Sequence, residues 1–263
     1  MAHARLIFGR IKGVRPLAPG PLVGYYTKES LRLARPRGVT LQGWSANPRN
    51  VSASPGRVVI YFPGRNEHAA WAPDMASHVE DAAIYAFNFR GGGGSSGAPS
   101  ESAAKADALA IHDLVRERHG GSLAQMVLMG RSLGTAIALW LARRVQPREL
   151  VLVSPFDSIR AVLNQRPLGR VAGLLLGQTF ECTSAASQVD ARTLVLLAGG
   201  DREVPNERSL RLCSHLPSAP QIRILQGVTH QSLPRSVEAQ RALAEFLAVP
   251  ALRCRHSAAV PDP

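Results

Sequence analysis

The sequence predicts an α/β fold: a mostly parallel, doubly wound sheet with helices on both faces. Three observations carry this expectation. Short continuous apolar runs recur along the chain, at Arg57–Phe62, Ala83–Phe89, Leu150–Val153 and Thr193–Ala198, and runs of this kind suit strands buried on both faces. Helical patterns alternate with them, which is the signature of crossover connections. One further run, Gln125–Met129, stops at Gly130 and passes through Arg131-Ser132-Leu133-Gly134 directly into a helical pattern.

That last stretch fits G-x-S-x-G, a strand turning sharply into a helix with the serine at the corner. The serine backbone must be strained there, and side chains two positions either side would collide with the neighbouring strand and helix. The helix N-terminus then aims its free N–H groups at the hydroxyl. A second match, Gly93-Gly94-Ser95-Ser96-Gly97, lies in a glycine run with Pro99 following before any helix can begin. Ser132 is therefore the expected nucleophile, and Ser95 belongs to a loop.

In chain order, Leu31 to Trp44 reads as a hairpin of two edge strands around Arg37-Gly38, and Pro48 to Gly56 as a polar turn. Arg57–Phe62 is a strand ended by Pro63-Gly64, and Ala69 to Glu80 suggests a helix. Ser100 or Ser102 can cap a helix that Gly120 stops. After the Ser132 corner, Ala136 to Val145 is apolar almost all round, so that helix is central. Asp157 to Asp190 is irregular with apolar patches and reads as a small helical cap. Asn206 to His215 is a helix, Gln221 to Leu225 a strand and Leu233 to Leu247 the closing helix.

In such sheets chemistry collects beyond the carboxyl ends of the strands. A serine hydroxyl needs a base within reach, oriented by an acid. Of the eight histidines, His230 follows the last strand through Gly227-Val228-Thr229 and precedes the final helix, at the active edge. His68 could line the pocket, while His112 and His119 lie on a helix. For the acid, Asp201 directly follows the Thr193–Ala198 run; Asp157, after Ser154-Pro155-Phe156, is the alternative. The order Ser, Asp, His is the order of α/β-hydrolase triads. Oxyanion donors are expected from the backbone N–H groups of Leu133 and of Arg65, behind Pro63-Gly64.

The stretch from about Val39 to Leu247 resembles the α/β-hydrolase superfamily. The matching pieces are Phe62-Pro63-Gly64, Asn88-Phe89-Arg90-Gly91-Gly92-Gly93-Gly94-Ser95-Ser96-Gly97, Gly130-Arg131-Ser132-Leu133-Gly134, Ser154-Pro155-Phe156, Gly200-Asp201-Arg202-Glu203-Val204-Pro205 and Thr229-His230. It looks closest to the lid-poor serine hydrolases related to serine aminopeptidases and to lysophospholipid and acyl-protein esterases. Relatives usually carry His-Gly at Pro63-Gly64 and Asp-Tyr-Arg-Gly at Asn88–Gly91, positions that shape the loop rather than do the chemistry. Many also carry an N-terminal membrane helix, which this sequence does not show.

The 263 residues, 45% of them hydrophobic, suffice for one large core. The expected organisation is an N-terminal extension at 1–30, a single domain at 31–249 with its cap at about 157–190, and a flexible tail at 250–263. The net charge of +12 raises nucleic acid or an anionic surface as partners. The positive charges are scattered arginines with no aromatic interleaving, however, and read as solvated surface, as in a GC-rich bacterial protein. Basic residues around Leu6-Ile7-Phe8 suggest a frayed terminus, with weak peripheral membrane contact as the alternative. Three cysteines far apart, at 182, 213 and 254, argue against a disulfide framework and a zinc site. Neither a metal nor an organic cofactor is expected, and the expected location is cytoplasmic. The expected activity is a serine carboxylesterase acting on small acyl esters through an acyl-enzyme. Thioesterase, acyltransferase or peptidase action with the same residues, or a non-catalytic binding protein on the same scaffold, are the alternatives.

Overall fold

The structure is a computed structural model that describes residues 7–9, 11, 18, 20–49, 56–121, 125–164 and 180–249. Eight strands form one sheet in the order β1-β2-β4-β3-β5-β6-β7-β8. They are β1 (Tyr26–Arg35), β2 (Val39–Pro48), β3 (Arg57–Phe62), β4 (Ala82–Phe87), β5 (Met126–Arg131), β6 (Glu149–Val153), β7 (Arg192–Ala198) and β8 (Gln221–Leu225). From β4 through β8 every pairing is parallel, and β1 and β2 join antiparallel at one side. The sheet is therefore the open, mostly parallel one that the alternating pattern predicts.

Both faces of the central strands are covered, which is why those strands read as unbroken apolar runs. Alternate residues feed two separate cores. On one face Ile60, Leu128 and Leu152 pack with α1 (Glu101–Arg118) and α2 (Leu133–Val145), whose contributions include Ile111 and Ile137. On the other face Val59, Met129 and Val151 pack with Trp71 and Met75, and with Leu243 and Phe246 of the final helix, Val237–Ala248. Ser100 caps α1 by accepting from Ala103 N–H.

Three elements differ from the sequence reading. The first strand starts at Tyr26, inside the stretch expected as extension, because Thr27 to Ser30 are exposed and leave no apolar period to read. Of the hairpin's two strands only β1 is an edge; β2 pairs β4 through Gly43 to Ala46. The helix expected over Ala69 to Glu80 is a 3-10 helix, Ala69–Ser77, with Pro73 inside it, and proline denies an α-helix its hydrogen bond. Ile7 and Phe8, read as part of a frayed terminus, are buried at 3% and 5% exposure. Within the cap stretch the structure shows α3 (Ile159–Asn164) and α4 (Thr183–Ala186), with α5 (Asn206–Cys213) and α6 (Val237–Ala248) following. The apolar patch at Val171 to Leu176 and the tail lie outside the described residues. Among the described residues no helix is long and apolar enough to cross a membrane.

Two glycines make the corner after β5 buildable. A Cβ on Gly134 would fall 2.0 Å from the Phe62 carbonyl oxygen of β3, and one on Gly130 would fall 2.5 Å from the Gly134 carbonyl oxygen. Both contacts are to backbone, which cannot swing aside. Gly134→Ala is therefore expected to cost at least about 1–3 kcal/mol, the range for overpacking a tight site. A urea midpoint unchanged from the wild type would contradict this close approach of α2 to β3.

Candidate active site

Five strands deliver the site from their carboxyl ends. Ser132, one residue past β5, has φ 47° and ψ −116° and heads α2. Its N–H still bonds the Val153 carbonyl (2.8 Å), and its carbonyl accepts from Thr135 N–H (2.9 Å) and Thr135 Oγ1 (2.6 Å). The serine is thus clamped as the last rung of the sheet and the first of the helix. Positive φ in a residue with a side chain is strained and persists only where neighbours enforce it. The strain expected of the G-x-S-x-G serine is present at Ser132.

Asp201 and His230 meet. His230 Nδ1 lies 2.7 Å from Asp201 Oδ2, and the two side chains are buried at 5% and 1% exposure. The same Oδ2 accepts from Ser154 Oγ (2.9 Å), while Oδ1 accepts from the Glu203 and Val204 amides (both 2.9 Å). Burial works to raise the Asp201 carboxyl, but the bond with His230 and the donors around it outweigh burial and lower it. It is held ionised with its oxygens fixed. Asp157, the alternative acid, is engaged elsewhere, with Arg208 (2.9 Å) and the Ser158 amide (2.8 Å).

No hydrogen bond joins the Ser132 hydroxyl to the His230 ring among the described residues. Contacts of this kind often tighten only when substrate binds. The two residues are tied through the backbone instead: Arg131 Nη2 donates to the His230 carbonyl at 2.8 Å and to Gln231 Oε1 at 3.3 Å. Arg131 also pairs with Glu67 Oε2 at 3.1 Å, both side chains being almost fully buried. Glu67 accepts in addition from the Gly64 amide, from Tyr61 Oη (2.8 Å) and from Trp71 Nε1 (2.8 Å). Burial pushes the Glu67 carboxyl up, but the Arg131 charge and the Gly64 amide prevail, leaving it lowered.

Through these contacts Glu67 fixes the turn after β3. Glu67 N–H closes that turn on the Gly64 carbonyl (3.3 Å), with Arg65 and Asn66 at its centre and Asn66 at φ 61°. Neither the Arg65 nor the Leu133 amide has a hydrogen-bond acceptor among the described residues. Ser95, the rival match, is a loop serine: its Oγ donates to the Asn88 carbonyl (3.0 Å) and accepts from Gln42 N–H (2.9 Å). His68 caps the 3-10 helix, accepting from Ala70 N–H (3.2 Å), and packs on Trp44. Cys182 and Cys213 are buried and free, burial pushing the Cys213 thiol to about 11.

Sequence reasoning missed Ser154 and the Glu67–Arg131 pair. Ser154 carries a signal in hindsight, since it follows β6 as Ser132 follows β5, and it too has positive φ, 46°. Glu67 and Arg131 are 64 positions apart, and nothing in their local pattern links them.

Comparison with known proteins agrees with the geometry. The profile of a family described as serine aminopeptidase, S33, matches residues 53–184. An uncharacterised protein of Mycobacterium tuberculosis is 30% identical over 199 residues, which is 73% of this chain and 69% of that one. The lysophosphatidylserine lipase of Gallus gallus is 28% identical over 195 residues, 64% of this chain and 51% of the lipase; the chain thus spans about half the lipase's length. Among solved structures, the acetyl xylan esterase from Paenibacillus sp. R4 aligns over 93% of this chain and 90% of its own, with a TM-score of 0.65 at 18% identity. A Pyrococcus furiosus esterase aligns over 92% and 98%, with a TM-score of 0.67 at 15% identity. Those two likenesses are of fold.

The buried pair sets an expectation for stability. Removing one partner strands the other charge, so Glu67→Gln should cost about 3–5 kcal/mol near neutral pH. The lowered Glu67 carboxyl stabilises the fold fully above the unfolded carboxylate value of about 4.3, and that contribution is lost as pH falls through the lower folded value. The deficit of Glu67→Gln in urea unfolding should therefore shrink on acidification from pH 7 toward pH 3. A deficit that holds constant over that range would show that the carboxylate's charge is not what stabilises this site.

Proposed function

The chain belongs to the serine aminopeptidase S33 family of the α/β-hydrolase superfamily, and we propose that it is a serine hydrolase working through an acyl-enzyme on small uncharged esters. The observation that carries the reading is the Asp201–His230 contact of 2.7 Å, delivered to the strand-end rim where the strained Ser132 sits. A buried, ionised carboxylate on Nδ1 orients the imidazole and fixes Nε2 as the atom that takes a proton.

In this reading substrate binding brings Ser132 Oγ within reach of His230 Nε2. The hydroxyl attacks the ester carbonyl while His230 accepts its proton, and Asp201 stabilises the resulting imidazolium. The carbonyl oxygen becomes an oxyanion facing the Leu133 amide, at the N-terminus of α2, and the Arg65 amide of the Gly64–Glu67 turn. Such preorganised donors are the largest single source of acceleration in acyl transfer. His230 then returns the proton to the leaving alcohol, and a water repeats the cycle on the acyl-enzyme.

Relatives described as a lysophosphatidylserine lipase and as acetyl xylan esterases support an ester as the bond broken. Thioesters, or amides as the family's description suggests, are the second choice for the same residues. The cytoplasm is the proposed location, in keeping with the free thiols of Cys182 and Cys213.

A fluorophosphonate probe should label the wild type at one site and fail on Ser132→Ala. His230→Ala and Asp201→Asn should each lower kcat on p-nitrophenyl acetate by about 10³–10⁴-fold while remaining folded. Equal labelling of Ser132→Ala and wild type would sink the assignment.

A further inference from the structure

Residues 7–9 and 11 lie outside the stretch matched by the family profile, yet they pack against the reactive end of the sheet. The Phe8 carbonyl accepts from Asn66 N–H (3.3 Å), in the turn that carries the Arg65 amide. The Phe8 ring meets Phe89 edge-on at 5.3 Å and Phe180 at 6.0 Å between centroids. This seat is encoded on both sides. A Cβ on Gly9, where φ is +70°, would fall 1.8 Å from Asn66 Oδ1, and one on Gly92 would fall 2.5 Å from Ile11 Cδ1. At Gly9 the segment closes on the turn, and at Gly92 the glycine-rich loop closes on Ile11, where a side chain would force these neighbours to move.

Between them lies a cavity of about 730 Å³, in the range of small-molecule sites. Phe8, Ile11, Phe89, Ala98 and Pro99 supply its apolar lining, and Gly64, the residue before the proposed Arg65 donor, lines it as well. Gly64 also abuts the residue before Ser132, since a Cβ there would stand 3.3 Å from the Arg131 carbonyl oxygen. Among the described residues two ionised side chains border the cavity, and both are paired with an opposite charge. Arg90 is held in two-pronged fashion on Asp107 at 2.7 and 2.7 Å. Glu67 already accepts from Tyr61, Trp71, Gly64 and Arg131. No carboxylate among the described lining residues is left to take the ammonium of an aminoacyl group, and burying that charge unpaired is costly.

We propose that this cavity holds the acyl chain of the substrate, that the chain is uncharged and apolar rather than aminoacyl, and that Phe8 and Ile11 of the amino-terminal segment set the length accepted. The proposal rests on the serine-hydrolase reading above. The direction follows by elimination: the reacting carbon carries both the acyl chain and the leaving oxygen, and the side the leaving oxygen does not take, the Gly64 side, falls to the chain. The leaving alcohol must depart on the His230 side to collect its proton, and no residue of the His230 loop lines this cavity.

The test uses the full chain and p-nitrophenyl esters from acetate to decanoate, with the final extent of fluorophosphonate labelling as an independent count of working serines. Ile11 is only half-buried, so Ile11→Trp should fold. It should label fully and lose about tenfold or more in kcat/KM on the longer esters relative to acetate. Phe8→Ala should shift the optimum toward longer chains. The wild type should prefer uncharged acyl esters to aminoacyl p-nitroanilides and aminoacyl esters. Full labelling with an unchanged length profile in Ile11→Trp, or a wild-type preference for aminoacyl substrates, would overturn the pocket while leaving Ser132 in place. So would a change seen only when the alcohol is varied at fixed acetyl group. Absence of labelling in the wild type would instead remove the serine reading beneath it.

Discussion

The buried ion pair between Glu67 and Arg131 is the contact on which the site's geometry depends. One carboxylate and one guanidinium, both nearly inaccessible, join the turn after β3, the corner after β5 and the loop carrying His230. Burying two charges is expensive, and an apolar pair of similar volume would often be at least as stable. What an apolar pair could not do is bond a backbone amide at Gly64 and a backbone carbonyl at His230 at once. The pair specifies position more than it adds stability. It sets where the Arg65 amide stands relative to Ser132, and it keeps the His230 backbone within 2.8 Å of the arginine that precedes the serine.

A second constraint acts on the serine. Ser132 is the end of a hydrogen-bonded ladder and the start of a helix, and a positive φ is the compromise between them. Gly130 and Gly134 allow helix and strand to close to backbone contact, so the strained residue has nowhere to relax. Ser154 repeats the device one strand over. There the hydroxyl donates to Asp201 Oδ2, the same oxygen that meets His230 Nδ1.

Much of this was legible in the sequence, and the failures have physical reasons. Strands β3 to β7 announce themselves because two cores need apolar residues at every position, and the Gly130–Gly134 motif is local, so its spacing is visible. Ser132, Asp201 and His230 can be nominated together from the sequence because a parallel sheet converts chain order into position along one rim. The 3-10 helix was misread because the apolar pattern was weighed without Pro73. β1 was shortened because an exposed edge carries no period. Ile7 and Phe8 looked like a terminus because what buries them is tertiary: an amide at Asn66 and two rings, Phe89 and Phe180, far along the chain. The Glu67–Arg131 pair escaped for the same reason.

The division between the matched stretch and the rest bears on specificity. Residues 53–184 contain Ser132, both proposed oxyanion donors and the ion pair. They do not contain Asp201, His230 or the amino-terminal wall. The family's description names an aminopeptidase while one relative is named a lipase, as expected where a scaffold does not choose its substrate. The choice falls to whatever lines the space beside Gly64. In this chain that space is closed by Phe8 against Phe89, and its bordering charges are already consumed in holding the loops. Among the described residues lining this space the carboxylate is that of Glu67, and freeing it would release the Gly64 turn from Arg131. Recognition of a charged aminoacyl group and the present geometry of the oxyanion turn thus compete for one side chain, and the structure has committed that side chain to the turn.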